Sequence, residues 1–152
     1  MKITWLAVTL SLGMASLAFA QQSASGQQMR KVRQAMGDEY AAAIAKKDAV
    51  AMANHYTVDA VTAGLCPEAP PVVGRQAKIK QFEAALQAGL SNYSSKVKEV
   101  RLLRDGAAWS TGVLEFTING QRVLGNWIDI LRRDGKEWRV SFQAFARTSC
   151  SP

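Results

Sequence analysis

The chain has 152 residues, and its 19 Lys and Arg against 12 Asp and Glu give a formal net charge of +7. That length suits one domain with a buried core. The basic residues are scattered along the chain, which argues against a nucleic-acid-binding surface. One His and two Cys exclude a zinc site built from Cys and His, and no pattern calls for a cofactor.

The first twenty residues have the pattern of an export signal. Lys2 precedes an apolar run over 3–19, and the segment ends in Ala18-Phe19-Ala20. A positive start, an apolar run and a small-x-small ending are the parts of a cleavable secretory signal. An uncleaved anchor is the alternative, but the run is at the lower limit for a bilayer span. We predict cleavage after Ala20, a periplasmic or secreted location, and no membrane association after cleavage.

The start of the mature chain is predicted to be helical after a short leader. Residues 21–28 are rich in Gln, Ser and Gly, which predicts a flexible leader. Apolar residues then recur at helical spacing over 29–47, a range that includes Tyr40. Asp48 is placed to cap a second helix over 49–56.

The next segment mixes short strands with a third helix. Residues 60–63 are predicted to form a short strand, and the Pro-rich run 66–71 a loop. Val72 and Val73 continue as a very short strand. Apolar positions at helical spacing over 76–88 predict the third helix.

The C-terminal half changes to the alternation that is typical of strands. Asn-Gly and Asp-Gly pairs between the alternating runs are strong hairpin signals. The predicted strands cover 95–103, 107–118, 121–132 and 137–147. Helices first and an antiparallel meander afterwards predict an α+β fold in which the helices cover one face of the sheet.

Strand alternation also predicts which side chains face the helices. Trp127 lies on the apolar side of its strand, and Asp129 shares that side. On the last strand, the apolar side carries Trp138 and Phe142, so we expect both to face inward. A carboxylate on an apolar face is the most informative polar residue in the sequence.

The order of these elements resembles a known family. An Asp-capped helix, the run Tyr56-x-x-Asp59-Ala60-Val61 and the closing Asp134-Gly135-Lys136-x-Trp138 are similar to SnoaL-like and ketosteroid-isomerase-like proteins of the nuclear transport factor 2-like superfamily. The resemblance covers roughly residues 29–147 and assigns 29–150 to one domain. It implies a cone-shaped, curved, mostly antiparallel sheet packed on three helices around an apolar pocket.

The resemblance also implies roles for single residues. Ketosteroid isomerases place a Tyr and a protonated Asp as an oxyanion hole, and Tyr40 and Asp129 match these positions. The position of their catalytic base falls on Gly64, which has no side chain to carry a proton. His55 and Glu68 are the candidates to replace it, so the isomerase activity does not carry over.

Each candidate also has a structural interpretation. Asp129 can be a buried carboxylate satisfied by neighbouring donors, Tyr40 a core residue, and His55 a cation at a helix end. The expected pocket residues are Tyr40, Trp127, Asp129 and Phe142. Three functions remain open: binding of a small apolar or aromatic molecule, an isomerase, cyclase or dehydratase reaction using Asp129 and Tyr40, or a dimeric interaction or stress-response protein with a vestigial pocket.

Two further expectations concern the cysteines and assembly. An even count in an exported chain favours one disulfide. The resemblance places the first and last strands side by side, which predicts a bond between Cys66 and Cys150. It also implies a homodimer through the open face of the sheet, where we expect Gln143 and Phe145.

Overall fold

The computed structural model describes residues 10–66 and 68–148, with the side chains of residues 25–65 and 69–148. Three helices pack on one face of a six-stranded sheet, so the predicted α+β class is confirmed. The helices are α1 Leu10–Ala45, α2 Ala49–Ala53 and α3 Arg75–Gln87. The strands are β1 Tyr56–Cys66, β2 Glu68–Val73, β3 Ser91–Leu102, β4 Ala107–Ile118, β5 Gln121–Asp134 and β6 Glu137–Arg147. Within this part of the chain, no helix combines the length and apolar character needed to cross a membrane.

The sheet is a meander with one parallel pair. Its strand order is β2-β1-β6-β5-β4-β3, and it does not close into a barrel. β1 runs parallel to β6, as the resemblance implies, and the other neighbours are antiparallel. The turn between β4 and β5 has Asn119 and Gly120 at φ 50° and 73°, the left-handed pair that a two-residue hairpin needs.

Helix α1 begins well before its predicted start. It runs through 21–28, the segment that the sequence indicated as a flexible leader. That segment contains no Pro to interrupt a helix, and it continues directly into Met29, which is buried in the core. The helix ends at Ala45, and Asp48 caps α2 by accepting a 2.8 Å hydrogen bond from the Ala51 backbone N–H.

The prediction of a loop over 66–71 is wrong. Residues 68–73 form β2, which pairs with β1 through Thr62 opposite Val72 and Gly64 opposite Ala69. A proline has no N–H to donate, so it disrupts a central strand, which pairs with neighbours on both sides. An edge strand has one side without a neighbour, where a missing N–H breaks no hydrogen bond of the sheet. β2 is at the edge of the sheet, and for that reason it tolerates Pro70 and Pro71.

The inward face of β5 agrees with the prediction. Alternate residues of this strand are buried on the helix side: Val123, Gly125, Trp127, Asp129 and Leu131. Leu131 belongs to the same buried cluster as Met36 of α1 and Met52 of α2, and Trp127 contacts Arg33 of α1. Asp129 lies among them with no exposed surface.

The inward face of β6 agrees only in its first half. Val140 lies opposite Leu131 and is buried, but the register then shifts by one residue at Ser141. Beyond this bulge, Gln143 lies opposite Asp129 and Phe145 opposite Trp127, so both face inward. Phe142 faces outward with 39% of its surface exposed. An extra residue in one strand reverses the alternation after it. For this reason the expectation that Phe142 faces inward is wrong, and so is the expectation that Gln143 and Phe145 lie on the open face.

Candidate functional site

A cavity of about 280 Å³ lies between the helices and the inner face of the sheet. Side chains from α1 and α3 form one side of it, and residues of β1, β2, β3, β4 and β6 form the other. Most of its wall is aromatic or aliphatic, including Met36, Tyr40, Phe82, Tyr93, Phe116 and Phe145. The polar side chains at its surface include Arg33, His55, Thr62, Lys78, Gln81 and Gln143. Mostly apolar walls with a few polar groups are typical of a small-molecule site.

A buried ion pair lies at the base of the cavity. The Arg33 guanidinium donates two hydrogen bonds to Asp129 Oδ2, from Nε at 3.0 Å and from an Nη at 2.6 Å. Gln143 donates to the other carboxyl oxygen, Oδ1, at 2.9 Å. The guanidinium also stacks 4.2 Å from the Trp127 ring centroid. Arg33 therefore separates Asp129 and Trp127 from the cavity.

The contact with Arg33 favours the ionised form of Asp129. Burial raises the pKa of the Asp129 carboxyl, and Arg33 and Gln143 oppose that rise. Arg33 is a charged donor to Oδ2, and Gln143 donates to Oδ1, and both contacts stabilise the carboxylate. A carboxylate in this position has no proton to donate to a ligand, which removes the oxyanion-hole role that the resemblance implied for it.

Gln143 connects the ion pair to a tyrosine. The Tyr56 hydroxyl donates to Gln143 Oε1 at 2.9 Å, and the Gln143 amide donates onward to Asp129. The chain of contacts thus joins α1, β1, β5 and β6 through four side chains. Burial raises the pKa of Tyr56, with the Asp129 charge as a smaller cause, so Tyr56 is a neutral donor.

Lys78 brings a second basic group to the cavity. Its side chain is 6% exposed, and Nζ donates to Thr62 Oγ1 at 3.0 Å and Gln81 Oε1 at 2.9 Å. Nζ also lies 4.8 Å from the Tyr56 ring centroid and 4.7 Å from that of Phe82. Burial lowers the pKa of Lys78 to about 7, and the Asp129 charge opposes this.

Tyr40 is part of an aromatic wall. Its ring meets those of Tyr93, Phe82 and His55 edge-on, at centroid distances of 5.0, 5.7 and 6.0 Å. Such edge-on contacts add to the stability of a packed cluster. Burial raises the pKa of Tyr40 and lowers the pKa of His55, so both are uncharged near pH 7.

The position of the family's catalytic base has no acid at it. Gly64 lines the cavity, as the resemblance implied. Among the described residues that line the cavity, none is Asp or Glu. The side chain of Glu68, the candidate replacement, lies outside the described part of the chain, as do Cys150 and the Cys66 side chain. Of the two candidate replacements, His55 is the one whose side chain is described, and it lines the cavity.

The structure thus separates the four expected pocket residues. Tyr40 lines the cavity, Trp127 and Asp129 lie behind Arg33, and Phe142 is on the opposite face of the sheet. No group of three metal-binding side chains comes together in the described ranges.

Sequence reasoning missed the two cations, Arg33 and Lys78. A pattern was available for each: Arg33 is seven residues before Tyr40, and Lys78 is four before Phe82. Both spacings place the cation on the same helix face as an inward aromatic residue.

Comparisons with known proteins agree on the fold. No family model and no curated protein matches the chain, but solved structures do. A ketosteroid isomerase-like protein from Erwinia carotovora atroseptica has a TM-score of 0.66 at 20% identity, covering 79% of this chain and 96% of its own. An NTF2-like protein with a cystatin-like fold from Novosphingobium aromaticivorans has 0.62 at 17%, covering 93% and 92%.

A third structure extends this agreement. An NTF2-like protein of unknown function from Shewanella oneidensis has a TM-score of 0.64 at 11% identity, covering 73% of this chain and 93% of its own. Identities this low carry the fold and no activity. The expected fold is therefore confirmed, and the narrower SnoaL-like assignment stays a prediction.

Proposed function

The fold is nuclear transport factor 2-like, and on that premise we propose that the chain is an exported binding protein for a small apolar or aromatic molecule. The observation that carries the proposal is the cavity with its aromatic walls and few polar groups. An apolar cavity of roughly 150 Å³ holds a benzene molecule. A cavity of about 280 Å³ suits a substituted single ring or a small fused ring system.

The polar groups favour one kind of ligand. The Arg33 guanidinium carries only donors, and Tyr56 already donates to Gln143. No cavity-lining carboxylate in the described residues balances Lys78. A ligand with an oxygen that accepts hydrogen bonds, such as a phenol or a carboxylate, complements this set.

The test is a titration of the purified protein with a fluorescent naphthol. Ala85 lines the cavity, so Ala85→Phe fills the space that the ligand needs. Its neighbour Ala84 is exposed on the same helix, and Ala84→Phe is the matched control. We expect saturable binding by the wild type and by Ala84→Phe, and its loss in Ala85→Phe. Equal binding by both variants would place the ligand elsewhere, and no binding by the wild type would contradict the proposal.

The export part of the proposal has its own test. It rests on the signal-type pattern that ends at Ala20. Protein recovered from the periplasm or medium should begin at Gln21, or at the pyroglutamate formed from it. N-terminal mass analysis that finds Met1 on this protein would contradict cleavage.

The alternative functions rest on less. An isomerase, cyclase or dehydratase reaction that uses Asp129 and Tyr40 needs both side chains at the ligand, but Arg33 lies between Asp129 and the cavity. An interaction protein with a vestigial pocket needs the cavity to be filled, whereas about 280 Å³ is open.

A further inference from the structure

Lys78 is a buried amine without a counter-ion. Among the described residues, no carboxylate forms an ion pair with it. The nearest buried acid, Asp129, is already bound by Arg33 and Gln143. Burial of an ammonium group without an anion is costly, so the environment favours the neutral amine. The pKa of Lys78, about 7, agrees with this.

The hydrogen bonds of Lys78 suit the same neutral form. A neutral amine has two N–H donors and one lone pair. The two acceptors at Nζ, Thr62 Oγ1 and Gln81 Oε1, use both N–H groups. The lone pair then has no partner among the described residues. Because Thr62, Gln81, Tyr56 and Phe82 around Nζ all line the cavity, the nitrogen borders the space that a ligand would occupy.

We infer that Lys78 is a nucleophile that captures a small aromatic aldehyde in the cavity as an imine. This inference rests on the proposed function, because the aldehyde must first enter the cavity. The Nζ lone pair attacks the carbonyl carbon, and the C=O π pair moves to oxygen. A proton then passes from nitrogen to that oxygen and gives a carbinolamine. Loss of the hydroxyl with the second nitrogen proton releases one water and leaves the C=N bond.

The surroundings of Nζ define the substrate class. The apolar walls and the Tyr56 and Phe82 rings beside Nζ suit an aromatic group. An aldehyde presents a less crowded carbonyl carbon than a ketone, which matters because Lys78 is only 6% exposed. An amine that is partly unprotonated near pH 7 is suited to this addition.

The experiment is reductive trapping with benzaldehyde and cyanoborohydride, followed by peptide mass spectrometry. We expect one benzyl group on Lys78 at pH 7 under conditions that leave exposed lysines unmodified. At that pH an ordinary lysine is unprotonated about 10³ times less often than one with a pKa near 7. Labelling should fall as the pH drops below 7, because the ammonium form has no lone pair.

Two variants and one ligand make the test decisive. Lys78→Met removes the amine and keeps the apolar stem, so it should fold and lose the adduct. Lys80→Met changes an exposed lysine of the same helix and should keep it. Benzyl alcohol, which cannot form an imine, reports whether the cavity admits the ring. Binding of benzyl alcohol without an adduct at Lys78 would overturn the inference alone, whereas failure of both ligands would also contradict the proposed function.

Discussion

The Arg33–Asp129 salt bridge is part of the buried core, and its Arg33 side chain also lines the cavity. It joins α1 to the sheet, and it places a cation at the cavity where the resemblance implied an acid. Both side chains are almost completely buried, with 7% and 0% exposure. Pairs of this kind contribute little net stability when intact, but removal of one partner leaves an uncompensated buried charge.

The first prediction follows from this asymmetry. Asp129→Leu should lower the free energy of unfolding by about 3–5 kcal/mol because it leaves the buried Arg33 charge without a partner. The double variant Arg33→Met with Asp129→Leu should recover most of that loss. Asp59→Leu, which breaks the exposed pair with Arg132, should cost less than about 1 kcal/mol. Urea unfolding measures all three, and equal losses for Asp129 and Asp59 would contradict a buried ion pair.

The second prediction concerns Lys78 and pH. Its pKa falls on folding, to about 7, so between pH 7 and about 10 the unfolded state binds more protons than the folded state. Stability then rises with pH over this window. Asp129, Arg33 and Tyr56 also face this region, so the comparison with Lys78→Met isolates the lysine. We expect the wild type to gain stability relative to Lys78→Met as the pH rises, and parallel curves would contradict the lowered pKa.

The third prediction is that the protein has no appreciable ketosteroid isomerase activity. Enolisation needs a base within reach of the carbon-bound proton, and such a group contributes roughly 10²–10⁴-fold. Gly64 supplies none, and Asp129 is held by Arg33. Turnover of a 5-ene-3-ketosteroid is the measurement. Activity that disappears in His55→Ala or in Lys78→Met would show that the side chain concerned replaces the missing base.

At the scale of elements, hydropathy patterns predicted most of the structure. The strands of the meander, the cap at Asp48 and the inward face of β5 follow from local alternation and turn chemistry. Residues 68–71 of the edge strand β2 did not, because whether a strand tolerates a proline depends on whether a neighbouring strand lies on the side of its missing N–H. The bulge at Ser141 did not either, because it depends on pairing with β5. The buried cations Arg33 and Lys78 were missed because charge normally indicates a solvated position.

The fourth prediction is a disulfide between Cys66 and Cys150. The backbone of Cys66 pairs with Ala146 in the parallel β1–β6 ladder, and Cys150 follows four residues later in the sequence. A bond there closes a loop of about 84 residues and stabilises the fold by roughly 4–5 kcal/mol in the chain-entropy model. Alkylation of the oxidised, exported protein should find no reactive thiol, and two alkylated cysteines without reductant would contradict the bond.

At the scale of the whole molecule, the outer face of the sheet carries apolar side chains. Ile128, Phe142 and Leu124 are exposed there, with 44%, 39% and 43% of their surfaces accessible. Val61, Phe142 and Ile130 lie side by side across three strands. These residues replace Gln143 and Phe145, which we had expected on this face. An apolar sheet face of this kind favours association.

The fifth prediction is therefore a homodimer through this outer face. Light scattering at micromolar concentration should give twice the monomer mass. Ile128→Glu introduces a charge on the face and should give a monomer with unchanged circular dichroism. Gln87→Glu, at the exposed end of α3, is the control and should remain dimeric. A monomeric wild type would contradict the assembly.

The bulge in β6 decides where this strand can change in length. Because Ser141 is the extra residue, its deletion would remove the bulge and leave Phe142 on the outer face and Gln143 beside Asp129 and Tyr56. Deletion of Ala144 with the bulge kept would instead turn Phe145 from the inner face to the outer face. A codon lost at 141 would thus leave the ligand site and the dimer face as they are, whereas a codon lost a few positions later would exchange them along the end of the strand.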